Sequence, residues 1–334
     1  MTQTERPGDD EFLRQADPYR RELLAHCYRM LGSVHDAEDL VQETYLRAWR
    51  SYRQFEGRSS LRTWLHRIAT NVCLTALEGR HKRPLPTGLG GPTDDPTGAL
   101  VEQSEVSWLE PVPDAMVGGE ASDPATIVTS RQSVRLAFVA ALQHLPPRQR
   151  AVLILREVLD WRAAEVAELL DTTTAAVNSA LQRARAQLDQ AAPTEDGTVE
   201  PTEGQQRALL DRYVAAFQDK DIPAIVELFT KDAVWEMPPF LSWFQGAEAI
   251  GQLIDLHCPA HGRDSMRLIP TRANGQPAFG LYLRNADDTY RAFNLPVLTI
   301  GPGGVTRVVS VFDLGLFARF DLPESLPARY TPAR

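Results

Sequence analysis

The sequence predicts a multidomain chain in which two all-α helical domains are followed by an α+β domain. Three observations lead there. Apolar residues recur at helical spacing in two blocks between about residue 17 and residue 190, and a Pro-, Gly- and acid-rich stretch separates the blocks. Beyond residue 205, helices give way to short β-branched and aromatic runs divided by turns. A chain of 334 residues also exceeds what one hydrophobic core usually organises.

In the first block, Asp17-Pro18 supplies an N-cap and a proline at the first helical position, and Leu24, Cys27, Tyr28 and Leu31 follow at helical spacing until Gly32. Ser33 and Asp36 form a capping-box-like pair that opens a second helix, with Ala37, Leu40, Val41, Thr44, Tyr45 and Ala48 as its apolar face. A third helix is expected from about 60 to 79. Leu61, Trp64, Leu65, Ile68 and Val72 point inward on it, whereas Arg62, Thr63, His66, Arg67 and Asn71 point outward. These elements define a domain over residues 12–84.

Residues 85–127 read as an acidic, flexible linker with one apolar island at Trp108-Leu109. Helical periodicity resumes over 128–190, broken at Pro146-Pro147 and again at 171–174. A polar break precedes the third domain, 205–322. There, two helices carry Leu209, Leu210, Tyr213, Val214 and Phe217, then Ile225, Val226 and Phe229; a strand follows at 233–237 and a short helix at 247–256. Asn274-Gly275 and residues 301–304 mark hairpin turns, and 305–320 is a long β-branched and aromatic run. Helices packed on one face of a curved antiparallel sheet are expected.

Charge is uneven. The formal net charge is −9, but residues 12–83 hold 13 Lys and Arg against 8 Asp and Glu, residues 84–130 hold 0 against 8, and residues 131–190 hold 8 against 6. The acidity therefore lies outside the two helical blocks, which leaves nucleic acid a plausible partner for them. No run approaches the roughly 18 apolar residues of a membrane span, and the N-terminal residues lack the order of a signal peptide, so a cytoplasmic protein without membrane contact is expected. Cys27, Cys73 and Cys258 lie far apart without a C-x-x-C pair, which argues against a disulfide framework and against a metal site.

Residues 145–185 carry the most specific pattern. A helix entered through LPPRQR is followed by a second over 162–170, a short turn and a third over 174–185, with Val166, Leu169, Leu170, Val177 and Leu181 spaced to pack the last two together. This is a helix-turn-helix pattern. In such a motif the second helix enters the major groove, which points to Thr173, Thr174, Asn178, Ser179, Gln182, Arg183 and Arg185 as DNA-contacting residues. A helical hairpin inside some other all-α domain would show the same spacing.

HDAEDLVQETYLRAWR (35–50) and SSLRTWLHRIATNVCLTALEGRHKRP (59–84) resemble region 2 of sigma-70-type factors, and LPPRQRAVLILREVLDWRAAEVAELL with TAAVNSALQRARAQL resembles region 4. With no region 3 between them, the chain is similar to the extracytoplasmic-function group of RNA polymerase sigma factors. The resemblance implies that Asp39, Gln42, Glu43 and Leu46 grip the clamp helices of the polymerase β′ subunit, with a further contact to the β flap. It implies that Phe55, Glu56, Gly57, Arg58 and Ser59 form the loop that captures unstacked −10 bases, as melting requires. Arg58, Arg62, Thr63, His66, Arg67 and Asn71, with Arg80, Lys82 and Arg83 beyond them, would hold phosphates and read the non-template strand. The spacing of Trp64 indicates the core. Many relatives have Lys or Arg where Asn178 and Ala180 stand and Gly where Asp171 stands; fewer cations mean fewer phosphate contacts and weak −35 binding.

Residues 205–320 resemble the SnoaL-like branch of the cone-shaped fold, through LLDRYVAAFQDKDIPAIVELFTKDAVWEMPP and FQGAEAIGQLI. The resemblance implies an appended domain that regulates the sigma factor. A pocket in that cone would be lined by Tyr213, Trp235, Met237, Trp243, Phe244, His257, Phe279, Tyr282 and Phe293. Asp232, Glu236, His257, His261 and Asp313 are the acid or base groups available to it; none sits in a diagnostic motif, so no catalysis and no cofactor is expected. Two other functions stay open at this point: a one-component regulator whose cone senses a small molecule, and an isomerase-like enzyme fused to a DNA-binding part.

Overall fold

The computed structural model describes residues 9–79, 82–117, 132–191 and 201–328. The chain divides into two compact units, Met1–Arg83 with Leu109–Thr194 and Pro84–Trp108 with Glu195–Arg334.

The first unit is all-helical. Helices α1 (Asp9–Ala16), α2 (Arg20–Leu31), α3 (Val34–Ser51) and α4 (Leu61–Ala76) enclose Leu23, Leu24, Cys27, Tyr28, Val41 and Leu65. The Ser33 hydroxyl accepts the Asp36 N–H at 3.1 Å and Ser60 accepts that of Thr63 at 3.0 Å, so both helix starts are capped by side chains. α1 has no counterpart among the expected elements. It is held by Phe12, fully buried against Tyr45 and Tyr52 at centroid distances of 6.2 and 5.1 Å. With helix already present upstream, Ala16 rather than Asp17 precedes the 3-10 turn at Asp17–Tyr19.

Gly32 ends α2 at φ +71, the left-handed region that favours glycine, and a Cβ there would lie 2.8 Å from Leu109 Cδ1. The close approach seats Leu109, 1 % exposed, against the bundle. The apolar island thus splits: Leu109 belongs to the first unit, whereas Trp108 belongs to the second and donates its indole N–H to the Gln103 carbonyl.

Helices α5 (Leu136–Gln143), α6 (Pro147–Leu153, continuing into a π turn at Ile154–Val158), α7 (Ala163–Leu169) and α8 (Thr174–Ala191) complete this unit. Two buried guanidiniums tie them to the first bundle. Arg150 donates to the carbonyls of Met30, Gln143 and Leu145 and to Gln143 Oε1; Arg29 donates to the Ser133 carbonyl and hydroxyl. Burial lowers both to about 10, well above neutral pH. A buried cation that lost these acceptors would be strongly penalised, so each arginine fixes the chain segments around it.

In the second unit, α9 (Glu203–Gln218), α10 (Ile222–Val226) and α11 (Ala247–His257) accompany a seven-stranded sheet. Its strands are β1 (Phe229–Glu236), β2 (Trp243–Gln245), β3 (Met266–Ala273), β4 (Gln276–Arg284), β5 (Tyr290–Gly301), β6 (Gly304–Val311) and β7 (Ser325–Leu326). The order is β2-β1-β6-β5-β4-β3, with β7 on β5. β1 and β6 pair in parallel, so the sheet is mixed rather than wholly antiparallel as expected. That pairing joins Trp235 to Val308, too far apart in sequence for turn chemistry to announce it. The β3–β4 turn does follow its sequence: Asn274 and Gly275 have φ of 57 and 71, the positive pair of a type I′ hairpin. The end of the 305–320 run differs, because β6 stops at Val311 and Leu314–Phe320 is a 3-10 helix whose start is capped by Asp313 accepting from the Gly315 N–H at 2.9 Å. In the core, Tyr213 stacks on Phe217 and Phe279 at 4.3 and 5.7 Å.

Residues 84–108, expected as free linker, lie against this second unit. The Thr93 N–H donates to the Trp243 carbonyl (2.7 Å), the Leu241 N–H to that of Val101 (3.1 Å) and the Gln103 N–H to that of Pro239 (2.9 Å), while the Trp243 indole reaches the Gly90 carbonyl (2.9 Å). An aperiodic, Pro-rich segment can satisfy its backbone on a neighbouring element without forming one of its own, and we call it the strap.

Candidate nucleic-acid interface and C-terminal cavity

On α3 the buried positions Val34, Ala37, Val41, Thr44 and Ala48 leave Asp39, Gln42 and Leu46 exposed on the outer face, with Glu43 half-buried beside them and paired to Arg47 at 2.6 Å. The helix continues that face with Trp49. Leu46 and Trp49 are 49 % and 45 % exposed, two large apolar side chains at i, i+3 within an otherwise charged surface. Trp49 was not among the expected residues, although its spacing from Leu46 carried the signal.

The loop before α4 is organised by aromatic stacking. Phe55 lies 4.8 Å from Trp64 and 6.5 Å from Tyr52, centroid to centroid. Trp64, expected in the core, is half-buried and stands at the surface with Phe55. Arg58 is exposed and paired to Glu56, Ser59 and Thr63 are half-buried, and Asn71 and Lys82 are exposed. Arg80 lies outside the described residues. Arg62 is exposed and makes a forked pair with Glu22. Arg83 is drawn into a cluster with Asp36 (2.9 Å) and Glu110 (3.4 Å).

His66 departs from expectation. It is 1 % exposed, its Nδ1 is 2.9 Å from the Arg62 carbonyl, and its ring packs edge-on at 5.5 Å against His26, whose Nε2 meets the Thr70 hydroxyl at 3.0 Å. Burial lowers the pKa of both rings. The stripe His66, Thr70, Cys73 faces α2 at i, i+4, i+7; apolar periodicity alone overlooks a core stripe whose members are polar.

The helix-turn-helix is formed as expected. Val166, Leu169, Leu170, Val177 and Leu181 are buried between α7 and α8, and Asp171 takes the left-handed conformation of the turn at φ 49. Thr173 Oγ1 accepts the Ala176 N–H at 3.1 Å, capping α8. Thr173, Thr174, Asn178, Ser179, Gln182, Arg183 and Arg185 are all exposed. Arg185 pairs with Glu157, whereas Arg183 makes no ion pair among the described residues.

Within the first unit, α7 faces the Phe55 loop. Arg67 of α4 pairs with Glu168 of α7 at 2.7 Å, and a cavity of about 530 Å3 is lined by Phe55, Arg58, Trp64 and Arg67 on one side and by Trp161, Glu165 and Glu168 on the other. Carboxylates thus stand beside arginines that the sequence assigned to phosphates. Glu110 is a second acidic residue with a structural task. Its Oε2 accepts from the Ser33 hydroxyl (2.9 Å) and the Val34 N–H (3.0 Å), so it caps α3 from a distant part of the chain.

The second unit holds a mostly apolar cavity of about 310 Å3. Tyr213, Trp235, Met237, His257 and Phe293 line it as expected. Trp243 and Phe244 do not: Trp243 turns its indole to the strap, and Phe244 is buried in the core cluster. Phe279 and Tyr282 also lie off the cavity, Phe279 in the core and Tyr282 donating to the Pro323 carbonyl. Of the acid and base candidates, Asp232, His261 and Asp313 are exposed, and Glu236 is buried in a pair with Arg307 at 2.9 Å. Only His257 reaches the cavity wall, and its Nε2 is 3.0 Å from the Pro96 carbonyl of the strap.

Residues 16–83 match the family described as Sigma-70 region 2, residues 135–188 match Sigma-70, region 4, and residues 210–314 match the SnoaL-like domain. The chain is 60 % identical over 323 residues, 96 % of its own length and 86 % of the relative's, to the ECF RNA polymerase sigma factor SigG of Mycobacterium tuberculosis. The chain belongs to the ECF RNA polymerase sigma factors. SigJ of the same organism is a more distant sigma factor of this kind, 29 % identical over 70 % of this chain and 69 % of its own. The crystal structure of SigJ has the same fold, with a TM-score of 0.60 at 23 % identity, covering 93 % of this sigma factor and all of SigJ.

Against that family background, the paired arginines are the informative ones. Arg62, Arg67 and Arg83 of this sigma factor each have carboxylate partners from a different part of the first unit: Glu22, Glu168, and Asp36 with Glu110. Composition counted them as basic. It could not show which charges are already matched.

Proposed function

We propose that this sigma factor docks on core RNA polymerase through Asp39, Gln42, Glu43 and Leu46, extended by Trp49, against the β′ clamp helices, with region 4 meeting the β flap. Phe55, Arg58, Ser59, Arg62, Thr63, Arg67 and Asn71 serve the −10 element, with Arg80 and Lys82 beyond them. Thr173, Thr174, Asn178, Ser179, Gln182, Arg183 and Arg185 serve the −35 element. The protein works in the cytoplasm, as a partner of RNA polymerase would; separately, no helix among the described residues is long and apolar enough to cross a membrane. It performs no chemistry of its own, and its SnoaL-like domain regulates it.

The observation that carries this reading is the exposed outer face of α3: polar and acidic groups edged by Leu46 and Trp49, on a helix whose opposite face is fully used by the core. Burial of even part of such an apolar edge contributes about 25 cal/mol per Å2, and the flanking carboxylates give the contact its charge sense. The pairing of Arg67 with Glu168 further describes a closed form, in which polymerase must separate region 4 from the −10 loop.

The test is co-purification of core polymerase with an Asp39→Ala, Glu43→Ala double variant of the full chain. Neither side chain is buried, so the melting temperature should stay near wild type, surface changes usually costing within about 0.5 kcal/mol. Reduced recovery of polymerase with an unchanged melting curve is expected; equal recovery would refute the docking assignment.

A further inference from the structure

The SnoaL-like cavity is apolar over most of its wall, yet four of its lining residues carry a buried polar atom without a hydrogen-bond partner: Tyr213 Oη, Trp235 Nε1, Asn294 Oδ1 and Ser310 Oγ. Their residues are between 0 % and 6 % exposed. Each such atom has given up the hydrogen bonds that water would offer it, and buried polar atoms in folded proteins are almost always paired. Four in one cavity, from α9 and the adjacent strands β1, β6 and β5, form an arrangement that a bound molecule would complete.

Their chemistry restricts that molecule. The indole N–H only donates and the amide oxygen only accepts, while the two hydroxyls do either. Burial raises the Tyr213 pKa, which keeps its hydroxyl protonated. Among the described residues no Lys, Arg, Asp or Glu lines the cavity, and the one imidazole on its wall, His257, has its Nε2 on the Pro96 carbonyl. A charged ligand would therefore meet no oppositely charged carboxylate, ammonium or guanidinium there, and desolvating an unmatched charge is costly. A volume of 310 Å3 is about twice the roughly 150 Å3 that encloses benzene. Leu100 of the strap supplies part of the apolar wall, and its neighbours are held by the Val101, Gln103 and Pro96 contacts to Leu241, Pro239 and His257.

We propose that this cavity binds a neutral ligand with a two-ring-sized apolar body bearing both a hydrogen-bond acceptor and a donor, and that Leu100 makes the strap the element that senses its occupancy. The acceptor meets Trp235 Nε1 and the donor meets Asn294 Oδ1. The strap is the chain between regions 2 and 4, so the site reports to the segment that joins the two DNA-binding halves. The proposal extends the regulatory role given above to the SnoaL-like domain, but its test involves no transcription, so either can fail without the other.

The experiment titrates the full-length protein with 2-naphthol, and in parallel with 2-naphthoate, which has the same body and a negative charge, reading calorimetry and amide exchange. Saturable one-to-one binding of 2-naphthol is expected, with 2-naphthoate at least about tenfold weaker. Ser310→Ala and Asn294→Leu should each weaken 2-naphthol several-fold, and Leu100→Trp, which fills the cavity, should weaken it by about tenfold or more. At saturation the strap-bonded amides of Thr93, Gln103 and Leu241 should exchange more slowly, because a ligand held under the strap stabilises the closed state. Absence of saturable 2-naphthol binding, equal binding of 2-naphthoate, or indifference to both Ser310→Ala and Leu100→Trp would overturn the ligand site. Unchanged strap exchange at saturation would overturn the sensing role. Ser310→Ala removes one atom, so its result stands even if Leu100→Trp misfolds.

Discussion

Asn178 and Arg183 are both exposed on α8, and the proposed −35 reading gives them different tasks, a base edge for the first and a phosphate for the second. Asn178→Ala should alter preference at one −35 position, whereas Arg183→Ala should lower transcription across promoters and reduce its salt slope by about one unit. Promoter-variant transcription at several salt concentrations checks this, and exchanged phenotypes would contradict the assignment. The buried pair His26 and His66 yields a prediction about pH. Both rings have pKa values lowered by burial, with Arg29 close to each and Glu22 opposing the shift at His66. The unfolded chain therefore binds more protons than the folded one below the ordinary histidine pKa of about 6.5, and stability falls as pH drops through that value. The melting temperature of the protein should decline below about pH 6.5, and His66→Gln should flatten that decline. A slope unchanged by the substitution would contradict the role of the pair. Neither the burial of His66 nor the capping by Glu110 was legible, since both depend on a partner that local spacing does not reveal.

Among the elements, those governed by local chemistry followed from the sequence: the Ser33 cap, the stop at Gly32, the Asn274-Gly275 turn and the packed faces of α7 and α8. Elements defined by partners did not. The strap has no period because its hydrogen bonds go to Trp243, Pro239 and Leu241, and the parallel β1–β6 pairing depends on strands joined by the whole of the intervening chain. The contact of α4 with α7 is of the same kind and makes its own prediction. Glu168 is 68 % exposed in its side chain, so Glu168→Ala should cost little stability. It frees Arg67 and removes one carboxylate from the cavity before the Phe55 loop. Faster association with core polymerase, or binding of single-stranded −10 DNA at lower concentration, is expected. Identical association and DNA binding for variant and wild type would mean that this pair does not restrain opening.

For the molecule as a whole, the order of region 2, region 4 and a SnoaL-like domain was legible because each carries a dense local pattern, and the same order appears in the family matches. The division into compact units was less so: the chain between the two regions is shared, with residues up to Trp108 in one unit and Leu109 onward in the other. In this sigma factor the outer faces of α3 and α8, proposed above to meet polymerase and the −35 element, are exposed, while Glu168 of α7 pairs with Arg67 of α4. The most direct test is in vitro transcription from a random promoter library with purified core polymerase and the full-length protein. The account predicts transcripts enriched for one pair of −10 and −35 sequences at fixed spacing, absent with core polymerase alone. No enrichment over core polymerase alone, together with tight operator-like binding of duplex DNA by the isolated protein, would contradict it.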